Sequence, residues 1–428
     1  MKKTNDELIQ QAANYFSGEK MYKKLFQMFR EKVESFGRIG GNIKLESFND
    51  KELEPIALFY GTSTSALKKK KTLSLPSFEK RLQQTKFEGV GLHALLEAYF
   101  GEAIQSKKSV QEAKRDRELA KLEELTAVYP TLASYFCYLE ERNSDSQWII
   151  RMLLSDEFET AVSNLAAAND GLPESYERLP FFSQRISGNP HTFDLATLDG
   201  KLLIHLLHFK LYGKGAVLAQ TEAINELLLN FRILRDDITN FVSFANLLGE
   251  LDGRIHPVWK AAAETGHAVN MPLRELLKID KVTAATGGDV YIVENSGVFS
   301  SVLDLAPNAP IVCTHGQFKL AGLRLIDRLV ESGCTLHYAG DFDPEGLAMA
   351  VRLMERHPGN TQLWRMDTAS YRESISSVEL GDRLVKLNNI SHPLVAELID
   401  EMKRIGKAGY QEALLEKMAE DLMGYMES

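Results

Sequence analysis

The sequence has few cysteines, no long apolar run and no apolar segment of signal-peptide type in its first residues, and these features argue against several classes of protein. Its 428 residues include only three cysteines, Cys137, Cys313 and Cys334, and none lies in a C-x-x-C pair. Neither a disulfide framework nor a zinc site is indicated, and because each cysteine has apolar neighbours we expect three buried thiols. No run of about 18 apolar residues could form a membrane helix. The first 20 residues lack the apolar segment of a signal peptide, so we expect a cytoplasmic protein.

Positive charge is concentrated in the first part of the chain, although the net charge of the whole is −9. Residues 1–120 contain 22 lysines and arginines against 16 aspartates and glutamates, a balance of +6, which leaves −15 for the remainder. Lys68, Lys69, Lys70 and Lys71 form an uninterrupted run. Such a run can bind the phosphates of DNA with release of counterions, or it can be a solvated surface. These four lysines are therefore candidate DNA-binding residues, with the second interpretation open.

Apolar residues spaced three and four apart predict helices through most of the first 265 residues. Examples are MYKKLFQMFREKVESF and AVLAQTEAINELLLNFRI. GRIGGNIKLESF predicts a glycine turn and a short strand, and we expect a winged-helix-like unit near residues 40–100. We divide this part into a basic helical N-terminal region, 1–124, and a helical middle domain, 125–270.

The pattern changes near residue 285, where short β-branched runs alternate with amphipathic helices of 10 to 15 residues. Four strands are predicted, in VYIVEN, APIVCTHG, CTLHYAGDFD and TQLWRM. This alternation predicts a doubly wound parallel sheet, which we place at residues 271–375. A helical segment at 376–428 follows, and we expect its apolar stripe to pack on the sheet. The predicted fold class is multidomain, α plus α/β.

Three carboxylates fall at the predicted carboxyl ends of these strands. Glu294 ends the first strand, and Asp341 and Asp343 end the third. Ligands of doubly wound sheets bind outside the carboxyl ends of the strands. Mg²⁺ prefers carboxylate oxygen and is usually held by one or two carboxylates together with the phosphates of a substrate. The sequence therefore predicts a divalent-cation site formed by these three residues.

In the motif GDFDPEG, we expect the residues around the two aspartates to have structural roles. We expect Phe342 to point into the core, because alternate residues of a strand face opposite sides. Pro344 suits the first turn of a helix, and Gly340 and Gly346 permit close approach of the backbone. The motif does not fit an EF-hand loop, because the twelfth residue counted from Asp341 would then be Glu and is Arg352. It fits a haloacid-dehalogenase-type phosphatase poorly, because the Asp-x-Asp pair of such an enzyme follows the first strand and here it follows the third.

These motifs resemble the Toprim domain, the metal-binding module of type IA and type II topoisomerases, primases and several nucleases. Within that superfamily, GDFDPEG and the long helical N-terminal region are most similar to the JetD subunits of bacterial Wadjet anti-plasmid systems, which are related to the A subunit of topoisomerase VI. The resemblance implies Mg²⁺ or Mn²⁺ on Glu294, Asp341 and Asp343, with Glu345 as a further acid. It also implies a homodimer that cuts plasmid DNA for an SMC-type motor complex.

One departure concerns the nucleophile. Topoisomerase VI-like enzymes cleave with a tyrosine of a winged-helix domain, and none of the fourteen tyrosines here lies in a matching motif. We expect Tyr60, Tyr99 and Tyr212 to be packing residues. The expected reaction is therefore metal-assisted phosphodiester hydrolysis by water, with Lys319 and Arg324 as further DNA contacts. A tyrosine transesterase and a non-catalytic DNA-binding or assembly subunit are the alternatives.

Overall fold

A computed structural model of the chain describes residues 4–425, which divide into two compact units. One unit contains residues up to 143 together with 147–156, and the other contains 144–146 and the residues from 157 onward. The second unit thus combines the predicted sheet region and C-terminal segment with the predicted middle domain from residue 157 onward, whereas residues 125–143 and 147–156 belong to the first unit. From Leu229 to Leu422, buried apolar residues form one common core cluster.

The first unit is mainly helical. Its elements are α1 (Asn5–Ser17), α2 (Lys20–Phe36), β1 (Asn42–Lys44), α3 (Asp50–Tyr60), α4 (Thr64–Lys70), β2 (Thr72–Ser74), α5 (Leu75–Leu82), α6 (Leu92–Phe100), α7 (Lys107–Val128), a 3₁₀ turn (Pro130–Leu132), α8 (Ala133–Glu140) and α9 (Gln147–Met152). Strands β1 and β2 pair antiparallel, with Asn42 opposite Ser74. This ribbon and helices α3 to α6 occupy the region for which a winged-helix-like unit is predicted.

Aromatic side chains fill the core of the first unit. Phe26 and Phe78 are fully buried, and the rings of Tyr99 and Tyr60 pack against them with centroid distances of 5.0 and 6.2 Å. Burial raises the pKa of Tyr60 to about 12. The packing role predicted for these two tyrosines is confirmed. Tyr212, in the second unit, is exposed and its ring lies 4.6 Å from that of His208.

The second unit begins with helices and then changes to strands. Its first elements are α10 (Asp156–Asp170), β3 (Glu177–Arg178), α11 (Leu179–Ser187), α12 (Leu198–Tyr212), α13 (Thr221–Asn230), β4 (Ile233–Leu234), β5 (Phe241–Ala245), β6 (Leu247–Leu251), β7 (Arg254–Ile255), α14 (Pro257–Glu264), β8 (Val269–Pro272), α15 (Leu273–Leu276) and β9 (Lys281–Ala284). The prediction of helix to about residue 265 is wrong between Asn230 and Pro257, where β4 to β7 lie, and holds again for α14. Periodicity alone does not distinguish a short apolar run such as FVSFA from a helical segment.

The alternating region and the C-terminal segment complete the second unit. Their elements are β10 (Asp289–Val293), α16 (Ser296–Leu305), β11 (Ile311–Cys313), α17 (Leu320–Glu331), β12 (Thr335–Ala339), α18 (Pro344–Arg356), β13 (Thr361–Leu363), α19 (Thr368–Ser374), β14 (Ile375–Glu379), α20 (Ala396–Ile405), β15 (Lys407–Gly409) and α21 (Leu415–Asp421), with 3₁₀ segments at Gly381–Asn389, Pro393–Val395, Gln411–Leu414 and Met423–Tyr425. The four predicted strands are β10, β11, β12 and β13.

The central sheet has six strands in the order β13-β12-β10-β11-β5-β8. Strands β13, β12, β10 and β11 are parallel, as predicted. Strand β5 joins β11 antiparallel, and β8 joins β5 antiparallel. The sheet is therefore mixed, which corrects the prediction of a purely parallel sheet, because β5 and β8 come from residues expected to be helical.

Strand β10 lies where the direction of winding reverses. From β10 the chain passes through α16 to β11 on one side, and α17 then leads back across β10 to β12 on the other side. Helix α18 continues outward to β13. Because such crossovers are right-handed, α16 lies on one face of the sheet and α17 and α18 lie on the other. The topological switch point, where doubly wound folds bind ligands, is thus between β10 and β12.

The C-terminal segment packs on the sheet, which confirms that part of its prediction. Leu387, Leu398, Met402 and Leu414 are buried in the same core as the strands. Strands β14 and β15 pair antiparallel, and Gly409 exchanges two backbone hydrogen bonds with Phe342. Residues 380–412 are thereby held beside the acidic motif.

Two further predictions concern cysteines and membrane helices. Cys313 and Cys334 are buried, but Cys137 is exposed, so the prediction of three buried thiols is wrong for Cys137. Helix α8 buries the residues on either side of it, Phe136 and Tyr138, and leaves Cys137 facing outward. Within residues 4–425, no helix combines the length and the apolar character needed to span a bilayer.

Candidate functional site

Glu294 directly follows β10 at the switch point and is held there by residues of β12 and its end. The Tyr338 hydroxyl, fully buried, donates a hydrogen bond to Oε1 of Glu294. A Cβ on Gly340 would lie 2.2 Å from the same oxygen, so a larger residue cannot occupy that position without displacing the carboxylate. The sequence does not indicate Tyr338 as a site residue, because a tyrosine within a predicted strand is common and nothing connects it to Glu294, 44 residues away.

The electrostatics of Glu294 favour the uncharged carboxyl. Burial raises the pKa of Glu294 to about 7; the hydrogen bond from Tyr338 opposes this, and the charges of Asp341 and Asp343 add to it. A carboxylate that ionises at such a cost gains more than an exposed one from a nearby cation. Perturbed acids at the ligand-binding edge of a sheet are candidates for function.

Asp341 follows β12 on the other side of the switch point. Its Oδ1 accepts a hydrogen bond of 3.1 Å from the backbone N–H of Gln411. Burial raises the pKa of Asp341; the hydrogen bond from Gln411 lowers it, and the negative charges of Glu412 and Asp343 raise it. Glu412 is therefore a fourth acid in this region, after Glu294, Asp341 and Asp343. It comes from the C-terminal segment, and no motif of the sequence connects it to Asp341.

Asp343 has both carboxylate oxygens engaged. Oδ1 accepts a hydrogen bond of 2.8 Å from the N–H of Gly346 and so caps α18, which Pro344 begins. Oδ2 lies 2.6 Å from Nη2 of Arg383. A Cβ on Gly346 would lie 2.2 Å from the carbonyl oxygen of Asp341, so a glycine keeps the turn compact. The carboxylate of Asp343 is thus turned towards the helix and Arg383.

Glu345 is paired with the same segment. It accepts hydrogen bonds from Arg383 and, at 2.7 Å, from Nζ of Lys386. Burial raises the pKa of Glu345, but the bonds from Arg383 and Lys386 outweigh it and lower the pKa to about 2. Phe342 is fully buried and its ring packs 5.4 Å from that of Tyr371, which confirms that it points into the core.

A polar strip extends the same edge of the sheet beyond Glu294. His315, which follows β11, has a left-handed backbone with φ of 56°, and its Nε2 is hydrogen bonded to Oγ of Ser243 on β5. The N–H of Gly316 donates to the carbonyl oxygen of Glu294 at 3.0 Å. Lys319 lies near this strip with Nζ 4.7 Å from the ring centroid of Phe241.

The basic candidates lie in different surroundings. Arg324 pairs with Asp327 at 3.5 Å, on the helix of which Lys319 is the N-cap. Lys68, Lys69, Lys70 and Lys71 are all exposed at the end of α4, where cations stabilise the helix dipole. Lys68 also pairs with Asp50. Both interpretations of the lysine run, phosphate contact and solvated surface, remain compatible with this exposure.

The residues present suit a divalent cation by their chemistry. Hard oxygen ligands are available from Glu294 and Asp341, and neither carboxylate forms an ion pair with a described lysine or arginine. The side-chain amide of Gln411, beside Asp341, is buried and both its polar atoms lack a hydrogen-bond partner. Such atoms cost free energy unless a further polar group completes them. The donor set therefore fits Mg²⁺ or Mn²⁺.

The arrangement of these ligands is incomplete. Among the residues that the structure describes, no group of three His, Cys, Asp or Glu side chains is placed to hold a metal ion. Glu294 and Asp341 follow the two strands that flank the switch point, and the charge of Asp341 acts on Glu294, whereas Asp343 and Glu345 are bound to Arg383. Coordination by Asp343 would require its oxygen to exchange Arg383 for the cation.

Two family models match the chain. Residues 39–249 match a model described as protein of unknown function N-terminus (DUF3323). Residues 269–422 match a model described as protein of unknown function C-terminus (DUF2399). No curated protein matches the chain. The second match covers the whole candidate site and the C-terminal segment, and the first covers the ribbon, the lysine run and the helices of the middle region.

Proposed function

We propose that the protein is the metal-dependent DNA endonuclease subunit of an SMC-type, Wadjet-like anti-plasmid complex and acts in the cytoplasm. The observation that carries the proposal is the pair Glu294 and Asp341, two partly buried carboxylates on either side of the topological switch point. Both have raised pKa values and neither has a cationic partner in the described part of the chain. Such a pair is suited to bind a divalent cation together with a phosphate.

The proposed reaction is hydrolysis of a phosphodiester bond in plasmid DNA. Bound Mg²⁺ or Mn²⁺ would polarise the phosphoryl oxygen and lower the pKa of the attacking water. Glu294 and Asp341 would hold the cation, with Asp343 joining them after exchange of Arg383. Tyr338 orients Glu294, and the backbone N–H of Gln411 orients Asp341. Outer contacts of this kind keep the ligands in position.

Other features support the DNA substrate and the assembly less directly. The exposed lysine run of the first unit can bind DNA phosphates, and Lys319 lies at the same edge of the sheet as Glu294. Domains with the two matched descriptions are found in JetD-like proteins, which supports the Toprim and JetD resemblance. The homodimer and the SMC-type partner follow from that resemblance.

The proposal is tested by nicking and linearisation of a supercoiled plasmid with purified protein in Mg²⁺, Mn²⁺ or EDTA. We expect metal-dependent cleavage that falls at least about 100-fold in Glu294→Gln and Asp341→Ala. Asp289→Asn is the matched control, because Asp289 is an acid at the opposite end of β10 that bonds only His337 among the described residues. Cleavage by both site variants at the wild-type rate would disprove the proposed site.

If the isolated protein is inactive, the same four proteins are assayed with the purified SMC-type complex. Loss of cleavage in the site variants would then support a partner-dependent nuclease. Retained plasmid defence in Glu294→Gln cells would instead favour a non-catalytic subunit. A covalent protein–DNA adduct that disappears when one tyrosine is changed to Phe would favour the transesterase.

A further inference from the structure

We propose that Arg383 is a built-in competitor of the metal, so that the 3₁₀ segment Gly381–Asn389 acts as a latch on the acidic motif. This inference rests on the proposed metal site. In the latched arrangement, Asp343 is bound to Arg383, whose positive charge opposes cation binding at that carboxylate. Loading of the complete site then requires that the segment release Asp343.

The contacts of Arg383 carry the first step. One nitrogen, Nη2, bonds to Asp343 and to Glu345 at once. The oxygen of Asp343 that it occupies is the one that does not cap α18, since the other accepts the N–H of Gly346. The positive guanidinium on that oxygen repels a divalent cation, so strong coordination by the same oxygen requires Arg383 to move away. Asp343 can therefore exchange partners without loss of its helix cap.

The segment itself is built in a way that permits release. It is a 3₁₀ helix of nine residues, longer than the three or four residues usual for this helix, whose hydrogen bonds have poorer geometry. Gly381 opens it with a positive φ of 51°. Leu387 is its only fully buried side chain, while Val385 and Lys386 are exposed. Leu384, half-buried, is the other apolar side chain of the segment that packs against the core.

The pairing with the acids is consequently a main attachment of the segment. Besides the apolar contacts of Leu387 and Leu384, the bonds from Arg383 to Asp343 and from Lys386 to Glu345 hold it to α18. Lys386 bonds Glu345, whereas Arg383 also bonds Asp343, one of the three acids to which the predicted cation site is assigned. Both basic side chains therefore anchor the latch, but only Arg383 competes with the metal ion for Asp343.

That inequality supplies a matched control. Full-length wild type, Arg383→Gln, Lys386→Gln and Asp341→Ala are titrated with Mn²⁺, and free Mn²⁺ is measured by its electron paramagnetic resonance signal. Each glutamine variant removes one positive charge from the same segment. We expect Arg383→Gln to bind Mn²⁺ at least about tenfold more tightly than wild type, on the scale of one charge-assisted bond. Lys386→Gln should change the affinity no more than about threefold, because its charge is exposed.

The outcomes separate the latch from the metal site. Equal affinities in Arg383→Gln and Lys386→Gln would overturn the latch, while binding that Asp341→Ala abolishes would leave the metal site standing. Absence of Mn²⁺ binding in every variant would overturn both. Binding seen only in Arg383→Gln would be the strongest support. Circular dichroism melting of each variant verifies that the affinities refer to folded protein.

Discussion

The acids at the carboxyl edge of the sheet form two pairs in opposite electrostatic states: Glu294 with Asp341 (the sheet pair), and Asp343 with Glu345 (the helix pair). Glu294 and Asp341, at the carboxyl ends of β10 and β12, are partly buried and have raised pKa values. Asp343 and Glu345, on the helix side of the turn, bind Arg383, and the pKa of Glu345 is lowered to about 2. All four acids lie at one edge of the sheet, yet among the described residues the first pair has no lysine or arginine partner and the second has two, Arg383 and Lys386.

The difference shows what each pair is suited to do. The sheet pair can bind a cation without first losing another partner, while the helix pair can do so only by exchange. Carboxylates buried without compensation destabilise the fold when charged, and carboxylates paired with arginine or lysine do not. The sheet pair is thus suited to bind a cation and the helix pair to stabilise the fold, although the sequence alone shows all four simply as acids. The following substitutions test this division.

The largest expected effect is that of Gly340→Ala. The new Cβ would lie 2.2 Å from Oε1 of Glu294 and 3.0 Å from the Tyr338 hydroxyl, so the carboxylate of Glu294 would have to move. We expect a loss of about 3 kcal/mol in the free energy of unfolding, as for overpacking of a rigid site. Urea denaturation measures it. Gly288→Ala, with open space around the position and an ordinary backbone, should cost less than about 1 kcal/mol.

The next effect is that of Glu294→Gln on the pH dependence of stability in EDTA. Glu294 has its pKa raised from 4.5 to about 7 in the folded protein. The wild type is therefore destabilised as the pH rises from 4.5 through 7, since ionisation costs more in the folded state. The glutamine variant cannot ionise and keeps an oxygen for Tyr338. We expect it to gain about 2 kcal/mol relative to wild type between pH 5 and pH 8.

Thermal unfolding of both proteins across that pH range provides the measurement. A difference between variant and wild type that stays constant with pH would contradict the burial of an uncompensated charge at Glu294.

The smallest effect is that of Glu345→Gln, and its sign is opposite. The pKa of Glu345 is lowered in the folded protein, so its pairing stabilises above pH 4.5 and this stability is lost as the pH falls through 2. Because Glu345, Arg383 and Lys386 are all about 40% exposed or more, the variant should lose only about 0.5 kcal/mol at pH 7. Chemical denaturation at pH 7 and pH 3 checks this, and a gain in stability at pH 7 would contradict it.

Much of the local structure could be predicted from the sequence. The strands β10 to β13 follow from short β-branched runs, and the burial of Phe342 follows from the alternation of strand residues. Other elements depended on pairing. FVSFA is too short for its periodicity to distinguish strand from helix, and only its place beside β11 in the sheet makes it β5. Cys137 likewise faces outward because of how α8 packs, which its neighbours in sequence do not reveal.

By itself, the sequence determined which residues are acids, that two strands end in them, and that glycine and proline shape the turn between them, because these properties depend on residue type and near neighbours. Tertiary structure decided which acids meet. Tyr338 and Glu294 lie 44 residues apart, and Asp341 and Gln411 lie 70 apart, so strand order and the packing of the C-terminal segment create those contacts. The same packing placed Arg383 on Asp343. Contacts between residues far apart in sequence therefore gave the sheet pair its burial and the helix pair its basic partners.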